Sequence, residues 1–367
     1  MPTVIAHIVH WPKSGIGTVV RQLVQFDQQK RFEYVVILLQ SDPQSAAQFK
    51  ALGIPVLAGA ISRKPLATLL QIRKWLGAAD IVHTHSFLPQ LIGAFLARRG
   101  SRQVRTVHNP YPYFSAASLR SRLKRGIEGL LISSSKADLI AVSRETHAAL
   151  PWTASPGATC VTIENGIVTG PAHTGGSLEG DAPRKPPGFL FVTLGRLEHQ
   201  KGFDVLLEAM ALVQKRAAAL PAPVNLWLIG NGSCRASLER QAESLGLKNV
   251  TFVGYQTAPE RWLACGDAFV LPSRFEGFSL AVIEALALSL PVILTDIGGI
   301  AALLRHGESA HIVPKEDPGQ LADALYRVAS ERDYRARLAH NGKAFVAEKF
   351  SMEKCASSYQ EVYLRAR

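Results

Sequence analysis

Several features that would indicate a metal site, a membrane span or secretion are missing from this chain. The four cysteines are widely scattered and form neither a C-x-x-C pair nor a spacing that suits zinc. No run of about 18 apolar residues occurs, which argues against a membrane-spanning helix. The first residues contain no basic region and no long apolar stretch, so we expect no signal peptide. These absences favour a cytoplasmic protein whose cysteines are buried, reduced thiols.

The positive charge of the chain is concentrated in its first half. Residues 1–165 contain 19 Lys and Arg against 8 Asp and Glu, whereas the remainder contains 22 against 21. A generally basic protein would spread this charge, so we expect the first half to meet an acidic partner. Anionic lipid and an acidic saccharide fit this charge. Nucleic acid is disfavoured because the basic stretch contains no known nucleic-acid motif.

Strand-like apolar runs alternate with helical patterns along the whole chain, which predicts an α/β protein with doubly wound parallel sheets. Residues 170–188 interrupt this rhythm with many Gly and Pro and read as a linker. We therefore predict two Rossmann-like domains, 1–169 and 189–350. The expected ligand site is the cleft that faces the carboxyl ends of both sheets.

The segment from Arg274 to Ala285 predicts a loop that turns into a helix. Glu276 and Gly277 lie on the loop, the helix covers 280–288, and Glu284 projects from its second turn. The start of a helix offers free N–H groups and a positive dipole end, which suit phosphate. Two carboxylates beside it would accept hydrogen bonds from sugar hydroxyls. The alternative is an ordinary amphipathic helix with one capping and one exposed glutamate.

Two loops after strands of the second domain suggest a nucleotide site. Arg196 and Lys201 precede a helix, and two cations there suit a diphosphate, although an ordinary solvated loop is equally compatible. Gly230 and Asn231 belong to a G-x-G turn that would let a nucleotide approach the backbone. The sequence contains no Asp-x-Asp, so no metal bridge to the diphosphate is indicated.

In the first domain, Gly15 and Gly17 follow the first strand and either contact phosphate or form a tight turn before a helix near residue 18. His108 ends another strand and is either a substrate contact or a structural histidine. His83 and His85 form an H-x-H pair without a third ligand nearby in sequence, so we interpret them as cleft lining rather than a metal site.

Residues 111–131 combine aromatics with a basic, amphipathic helical pattern. Such a helix is typical of a membrane interface, which predicts peripheral contact with an anionic membrane. The alternative is a surface helix whose leucines pack on their own sheet. The helical pattern contains these apolar residues: Leu119, Leu123, Ile127 and Leu130.

Together, these motifs resemble the family 4 glycosyltransferases of the retaining GT-B class. The matching segments occur in the order typical of the family and span most of the chain. They are residues 82–85, 106–109, 140–143, 163–167, 195–202, 230–232 and 272–285. The first loop departs from the Gly-Gly pattern common in the family, reading Ser-Gly-Ile-Gly-Thr at 14–18.

The resemblance implies a role for each matching position. The donor diphosphate would contact Arg196 and Lys201, with the first-domain loop on its other side. The donor sugar would contact His108, Glu276 and the backbone of the next three residues, and the ribose would contact Glu284. The full set implied is His108, Arg196, Lys201 and Glu276 for catalysis, with Gly15, Gly17, Gly230, Asn231, Gly277, Phe278, Ser279 and Glu284 for donor binding.

The resemblance also implies an activity. The enzyme would transfer a sugar, with retention and without metal or cofactor, from a UDP-sugar to a lipid-linked or polysaccharide acceptor in envelope or exopolysaccharide synthesis. Its last helix, residues 351–367, would cross back to the first domain. We expect it in the cytoplasm, with contact to the inner face of the cytoplasmic membrane. The alternatives are a non-hydrolytic nucleotide-sugar epimerase, a phosphorylase and a basic non-catalytic binding module.

Overall fold

The computed structural model describes residues 2–27, 31–59, 61, 65–109, 119–150, 159–168 and 183–365. The chain divides into two compact units. The first is Met1–Gly166 with Met352–Arg367, and the second is Ile167–Ser351. Most of the predicted linker and residues 111–118 of the predicted membrane contact lie outside the described residues.

The first unit contains a seven-stranded parallel sheet in the order β3-β2-β1-β4-β5-β6-β7. Its strands are β1 Thr3–Val9, β2 Phe32–Leu38, β3 Val56–Ala58, β4 Ile81–His85, β5 Arg102–Val107, β6 Asp138–Ala141 and β7 Cys160–Thr162. The helices between them are α1 Gly15–Gln25, α2 Pro43–Ala51, α3 Pro65–Leu76, α4 Phe87–Leu96, α5 Leu119–Ser135 and α6 Arg144–Ala148. The central strands are buried on both faces, which explains their nearly continuous apolar sequences.

The second unit contains a six-stranded parallel sheet in the order β10-β9-β8-β11-β12-β13. Its strands are β8 Phe189–Leu194, β9 Val224–Ile229, β10 Val250–Gly254, β11 Ala268–Leu271, β12 Val292–Thr295 and β13 His311–Val313. Its helices are α7 Phe203–Lys215, α8 Arg235–Ser244, α9 Pro259–Leu263, α10 Leu280–Ala287, α11 Pro318–Ser330 and α12 Arg332–Lys349. Both sheets are α/β and doubly wound, because the strand order reverses direction beside the first strand of each.

The last helix, α13 Met352–Leu364, returns to the first unit and packs beside α1. Arg102 holds its carboxyl end: the guanidinium donates to the carbonyl oxygens of Val362 at 2.5 Å and Tyr363 at 3.0 Å. The same guanidinium bonds Asp138 at 2.7 Å. A cation at the end of a helix satisfies carbonyl groups that have no partner within the helix.

Helix α5 buries a charged side chain and exposes several apolar ones. Glu128 points inward and pairs with Arg105 of β5 at 2.7 Å, with side chains only 1% and 3% exposed. The apolar residues on the other face therefore point to solvent: Leu123 is 59%, Ile127 44% and Leu130 70% exposed. The alternative, in which the apolar residues of this helix pack on their own sheet, is therefore wrong for these three positions.

The start of helix α1 differs from the sequence-based expectation, because it lies at Gly15, three residues earlier. Strand β4 extends through His85, and Ala301–Leu303 form a short 3-10 turn. The four cysteines are free, but only Cys355 is buried; the other three are half-buried, so the expectation of buried thiols is wrong for them. Within the described ranges, no helix has both the length and the apolar character needed to cross a bilayer.

The buried ion pair between Arg105 and Glu128 provides a stability test. Removing the carboxylate in Glu128→Ala takes away the negative charge that compensates the buried Arg105 guanidinium, which we expect to lower the free energy of unfolding by about 3–5 kcal/mol. The measurement is the shift of the urea unfolding midpoint, followed by circular dichroism.

Glu33→Ala, on an exposed position of β2, is the matched control and should change stability by about 0.5 kcal/mol at most. The double change Arg105→Leu with Glu128→Leu should lose less than Glu128→Ala, because neither charge remains buried. Equal stability of Glu128→Ala and Glu33→Ala would contradict the inward orientation of α5.

Candidate active site

The candidate site lies at the carboxyl edge of the second sheet, where the loops after β8, β9 and β11 meet. The carboxyl ends of parallel strands share one edge of a sheet, and ligands of open α/β sheets bind there. The loop after β8 ends in a 3-10 turn, His199–Lys201, and the loop after β11 leads into α10. Residues far apart in sequence therefore become neighbours.

Lys201 and Glu276 form an ion pair at the centre of this site. The ammonium group donates to Oε1 of Glu276, and both side chains are largely buried, at 13% and 11% exposure. Ser273 donates to the same oxygen at 2.8 Å. Among the described residues, nothing donates to the second oxygen, Oε2, so this half of the carboxylate is open to a ligand hydroxyl.

The backbone after Glu276 presents unused donors. Residues 277–279 are buried and lead into α10, and Ser279 at the N-cap gives no side-chain cap. No described group accepts a hydrogen bond from the N–H groups of Gly277, Phe278 or Ser279. Free N–H groups at a helix start form a ready anion site, and the helix dipole adds to the attraction.

Arg274 fixes this loop in place, which sequence analysis did not anticipate. Its guanidinium makes two bonds of 2.8 Å to Asp204, donates to the carbonyl of His199 at 2.8 Å and also pairs with Glu316. Hydrogen bonding to Asp204 raises the pKa of Arg274 further above its usual value. The partners lie on other loops and in α7, so no local sequence signal could have indicated the network.

Arg196 lies on the same edge but outside the Lys201–Glu276 pair. Its side chain is exposed and forms no ion pair with a described residue. Glu198 accepts bonds from Ser233 at 2.6 and 2.9 Å, and these bonds, together with the nearby charge of Arg196, lower the pKa of Glu198. Arg196 is therefore an available cation beside the site.

Gly230 lets the loops after β8 and β9 come together. Its φ is +132°, and a Cβ there would lie 2.0 Å from the carbonyl oxygen of Gly195. Asn231 then accepts a bond at its carbonyl from Leu197 at 3.1 Å. Any side chain at Gly230 would push these two loops apart.

Glu284 lies in the second turn of α10, as the sequence predicted, and its side chain is half-buried.

In the first unit, Gly15 and Gly17 belong to the first turn of α1 and not to a preceding loop. A Cβ at Gly17 would lie 1.9 Å from the carbonyl oxygen of Pro12, so close packing requires a glycine there. The close approach of Pro12 therefore explains why residue 17 is a glycine.

His83 and His85 do not line a cleft, because both are fully buried within β4. A third histidine that is distant in sequence lies beside them: His7 of β1 pairs in register with His83. Donor atoms of these three histidines lie within 4.8 Å of one another. His108 follows β5, is half-buried and bonds His85 at 3.1 Å. Sequence analysis missed His7, because the register between two strands cannot be read from a single sequence.

Two family models match this chain. A model described as Glycosyltransferase Family 4 matches residues 13–170, and a model described as glycosyl transferases group 1 matches residues 188–331. The chain belongs to glycosyltransferase family 4. The family prediction is thus confirmed.

The relatives of this family 4 chain match it over different shares of its length. The D-inositol 3-phosphate glycosyltransferase of Corynebacterium urealyticum is 29% identical over 310 residues, covering 77% of this chain and 71% of that protein. The lipopolysaccharide core biosynthesis glycosyltransferase LpsE of Rhizobium meliloti is 32% identical over 183 residues, covering 50% of this chain and 51% of that protein. The chain therefore spans only about half the length of some relatives it matches.

Solved structures show the same fold. Anabaena HepE, in complex with UDP and glucose, has a TM-score of 0.81 at 18% identity, over 98% of this chain and 99% of that chain. The lipopolysaccharide outer core galactosyltransferase WaaB has a TM-score of 0.65 at 18% identity, over 99% of this chain and 100% of that chain. The predicted α/β GT-B fold is confirmed.

The buried histidines make the stability of this glycosyltransferase pH-dependent. Burial lowers the pKa of His7 to about 3, well below the 6.5 of an exposed histidine. Burial also lowers the pKa values of His83 and His85. The unfolded chain then binds more protons than the folded chain, so stability falls as the pH drops below about 6.5.

We expect His7→Phe to reduce the slope of unfolding free energy against pH, between pH 6.5 and 4, by up to about 1.4 kcal/mol per pH unit. Leu66→Phe, at an exposed position of α3, keeps every histidine and should keep the slope of the unchanged protein. Urea titrations at several pH values measure both slopes. An unaltered slope in His7→Phe would show that His7 is protonated in the folded state.

Proposed function

We propose that this enzyme transfers a sugar, with retention of configuration, from a UDP-sugar to a lipid-linked or polysaccharide acceptor in envelope or exopolysaccharide biosynthesis. The observation that supports this proposal best is the Lys201–Glu276 pair beside the open N–H groups of residues 277–279. It combines a cation and amide donors for phosphate with a carboxylate for sugar hydroxyls.

Departure of the diphosphate explains the cationic side of the site. When the bond between the sugar C1 and phosphate breaks, negative charge grows on the leaving group. Lys201 and the N–H groups at the start of α10, which are already largely buried, would stabilise that charge together with the exposed Arg196 beside them. The proposal requires no resident metal or cofactor, because these groups supply the positive charge themselves.

The carboxylates and glycine turns serve the rest of the donor. Glu276 would accept a sugar hydroxyl at its open Oε2, and Glu284 would bind the ribose hydroxyls. Gly230 and Asn231 would let the nucleotide approach the backbone. From the first unit, His108 would contact the sugar, while the start of α1 at Gly15 and Gly17 would border the diphosphate.

Retention of configuration follows if the leaving phosphate removes the proton of the acceptor on the same face of the sugar. Such a mechanism needs no carboxylate nucleophile, and Glu276 is already engaged by Lys201 and Ser273. The choice of UDP is supported by HepE, whose structure contains UDP and glucose. The acceptor class is supported by LpsE and WaaB, whose names refer to lipopolysaccharide.

Transfer is tested with Lys201→Ala and Glu276→Ala. Each change removes a group proposed to act in the transition state, so we expect kcat to fall by about 100-fold or more, with an unchanged circular dichroism spectrum. Because the two residues form one pair, the double variant should lose much less than the product of the two single losses. A thermal-shift screen over nucleotide diphosphates and nucleotide sugars identifies the donor for these assays.

Lys215→Ala, in the last turn of α7 and away from the site, is the matched control and should keep full activity. Normal turnover in both Lys201→Ala and Glu276→Ala would refute the proposed function. Consumption of the donor without any acceptor would favour the epimerase alternative instead.

The acceptor proposal includes a membrane surface on the first unit. Leu123, Ile127 and Leu130 form an exposed apolar face on α5, and α4 and α3 pack side by side next to it. These neighbouring helices expose further large apolar side chains: Leu66, Leu70 and Phe95. The excess positive charge of residues 1–165 suits an anionic bilayer, which we propose as the occupant of this face at the inner side of the cytoplasmic membrane.

Membrane contact is tested by vesicle flotation. Leu130→Glu removes one side chain from the exposed apolar face; burying a leucine contributes about 2 kcal/mol, so binding to phosphatidylglycerol vesicles should weaken by roughly 30-fold. Leu364→Glu, an exposed leucine of α13, is the control and should bind like the unchanged protein. Equal binding of both variants, or equal binding to neutral vesicles, would exclude this face.

A further inference from the structure

Three histidines form a hydrogen-bonded chain that begins inside the first sheet and ends at a residue of the proposed site. Nδ1 of His7 lies 3.0 Å from Nε2 of His85. Nδ1 of His85 lies 3.1 Å from Nε2 of His108. His7 and His85 are fully buried, whereas His108, at the end of β5, is half-buried. Each inner ring therefore contacts the next through a defined nitrogen.

His83 lies beside this chain but is not a member of it. Its two nitrogens bond the hydroxyl groups of Tyr363 at 2.7 Å and Thr106 at 2.8 Å. A metal shared by His7, His83 and His85 would have to break at least one of these bonds, because each coordinating nitrogen needs its lone pair. The arrangement favours hydrogen bonding within a protein core over metal coordination.

Each ring of the chain is neutral. Burial lowers the pKa of His7 to about 3 and of His108 to about 4, and it lowers the pKa of His85 as well. A neutral imidazole has one N–H donor and one acceptor nitrogen. Because the three rings are linked in series, the proton position on one ring determines it on the other two. The two hydrogen bonds can therefore be donated in only two ways: both from His7 towards His108, or both from His108 towards His7.

The environment of His7, at the buried end of the hydrogen-bonded chain, distinguishes these two directions. Nε2 of His7 is fully buried and has no hydrogen-bond partner among the described residues. If the bonds run from His108 to His7, this atom is an N–H without an acceptor, and such buried donors are rare. If they run from His7 to His108, it is only an unused lone pair. The second direction leaves no N–H unsatisfied.

We propose that His7 and His85 are positioning residues that hold His108 in a single tautomer. His7 donates from Nδ1 to His85, and His85 donates from Nδ1 to Nε2 of His108. The proton of His108 then resides on Nδ1, and its Nε2 is occupied by His85. This inference rests on the proposed function, in which His108 contacts the donor sugar.

The tautomer limits what His108 can do. The nitrogen left for substrate is an N–H group, which donates a hydrogen bond and cannot remove a proton. His108 would therefore donate to an oxygen of the sugar, and the acceptor proton must go elsewhere. This tautomer is consistent with the leaving phosphate as the base that removes the acceptor proton. The role of His108 would then be to orient the donor sugar.

The proton positions can be measured directly, without any activity assay. In long-range 1H–15N spectra of the full chain at neutral pH, we expect His108 to show a protonated Nδ1 and an unprotonated Nε2. The signals are assigned by comparison with His108→Gln. A protonated Nε2 on His108 would overturn the proposal, as would one equivalent of zinc per chain in the purified protein.

Two substitutions at His85 separate positioning from packing. His85→Asn keeps an N–H donor near the position of Nδ1, so it should preserve the Nδ1–H form of His108. His85→Leu removes the donor, and we expect a mixture of His108 tautomers and a kcat about tenfold lower with little change in the KM for donor. Equal kcat losses in both variants, with His108 unchanged in the spectra, would contradict a positioning role.

Failure of this inference and failure of the proposed function give different results. If His108 has the opposite tautomer while Lys201→Ala abolishes transfer, the inference fails and the function stands. If the tautomer is as expected but the protein transfers no sugar, the function fails and the chain of bonds stands. The His85→Asn variant should also retain the melting temperature of the parent to within a few degrees, which separates folding from catalysis.

Discussion

The site of the second unit depends on one buried ion pair, Lys201 with Glu276. Two opposite charges in a poorly hydrated place must be paired, and each orients the other. Arg274 stabilises this arrangement, because its hydrogen bonds join the loop before Glu276 to the turn that contains Lys201 and to the helix after it. The loop after Glu276 is then free to leave its amide groups open toward a ligand.

The polar groups at the candidate site of the second unit differ from the histidines inside the first sheet. In the second unit, charged groups lie at the sheet edge and are partly accessible. In the first unit, neutral histidines fill the sheet interior, and hydroxyl groups satisfy His83 on both nitrogens. Charges at an edge can attract an anionic substrate, whereas neutral rings inside a sheet can transmit a fixed geometry without changing the local charge.

The sequence predicted what depends on local patterns. Alternating apolar runs indicated both sheets, and glycine and charge motifs after strands indicated the loops around Lys201 and Glu276. Long-range pairing was missed: His7 contacts His85 across two strands, and Arg274 finds partners 70 and 42 residues away. The orientation of α5 was left open, because the inward side of Glu128 is decided by Arg105 on another element.

The return of α13 to the first unit has a consequence for synthesis of the chain. Tyr363, which bonds His83 inside the first sheet, leaves the ribosome after the whole second unit has been made. Until then, His83 lacks one of its two partners, and Arg102 has no helix end to hold. The interior of the first unit is therefore completed last, although its strands are translated first. Until the second unit has been synthesised, the first unit can be only partly folded.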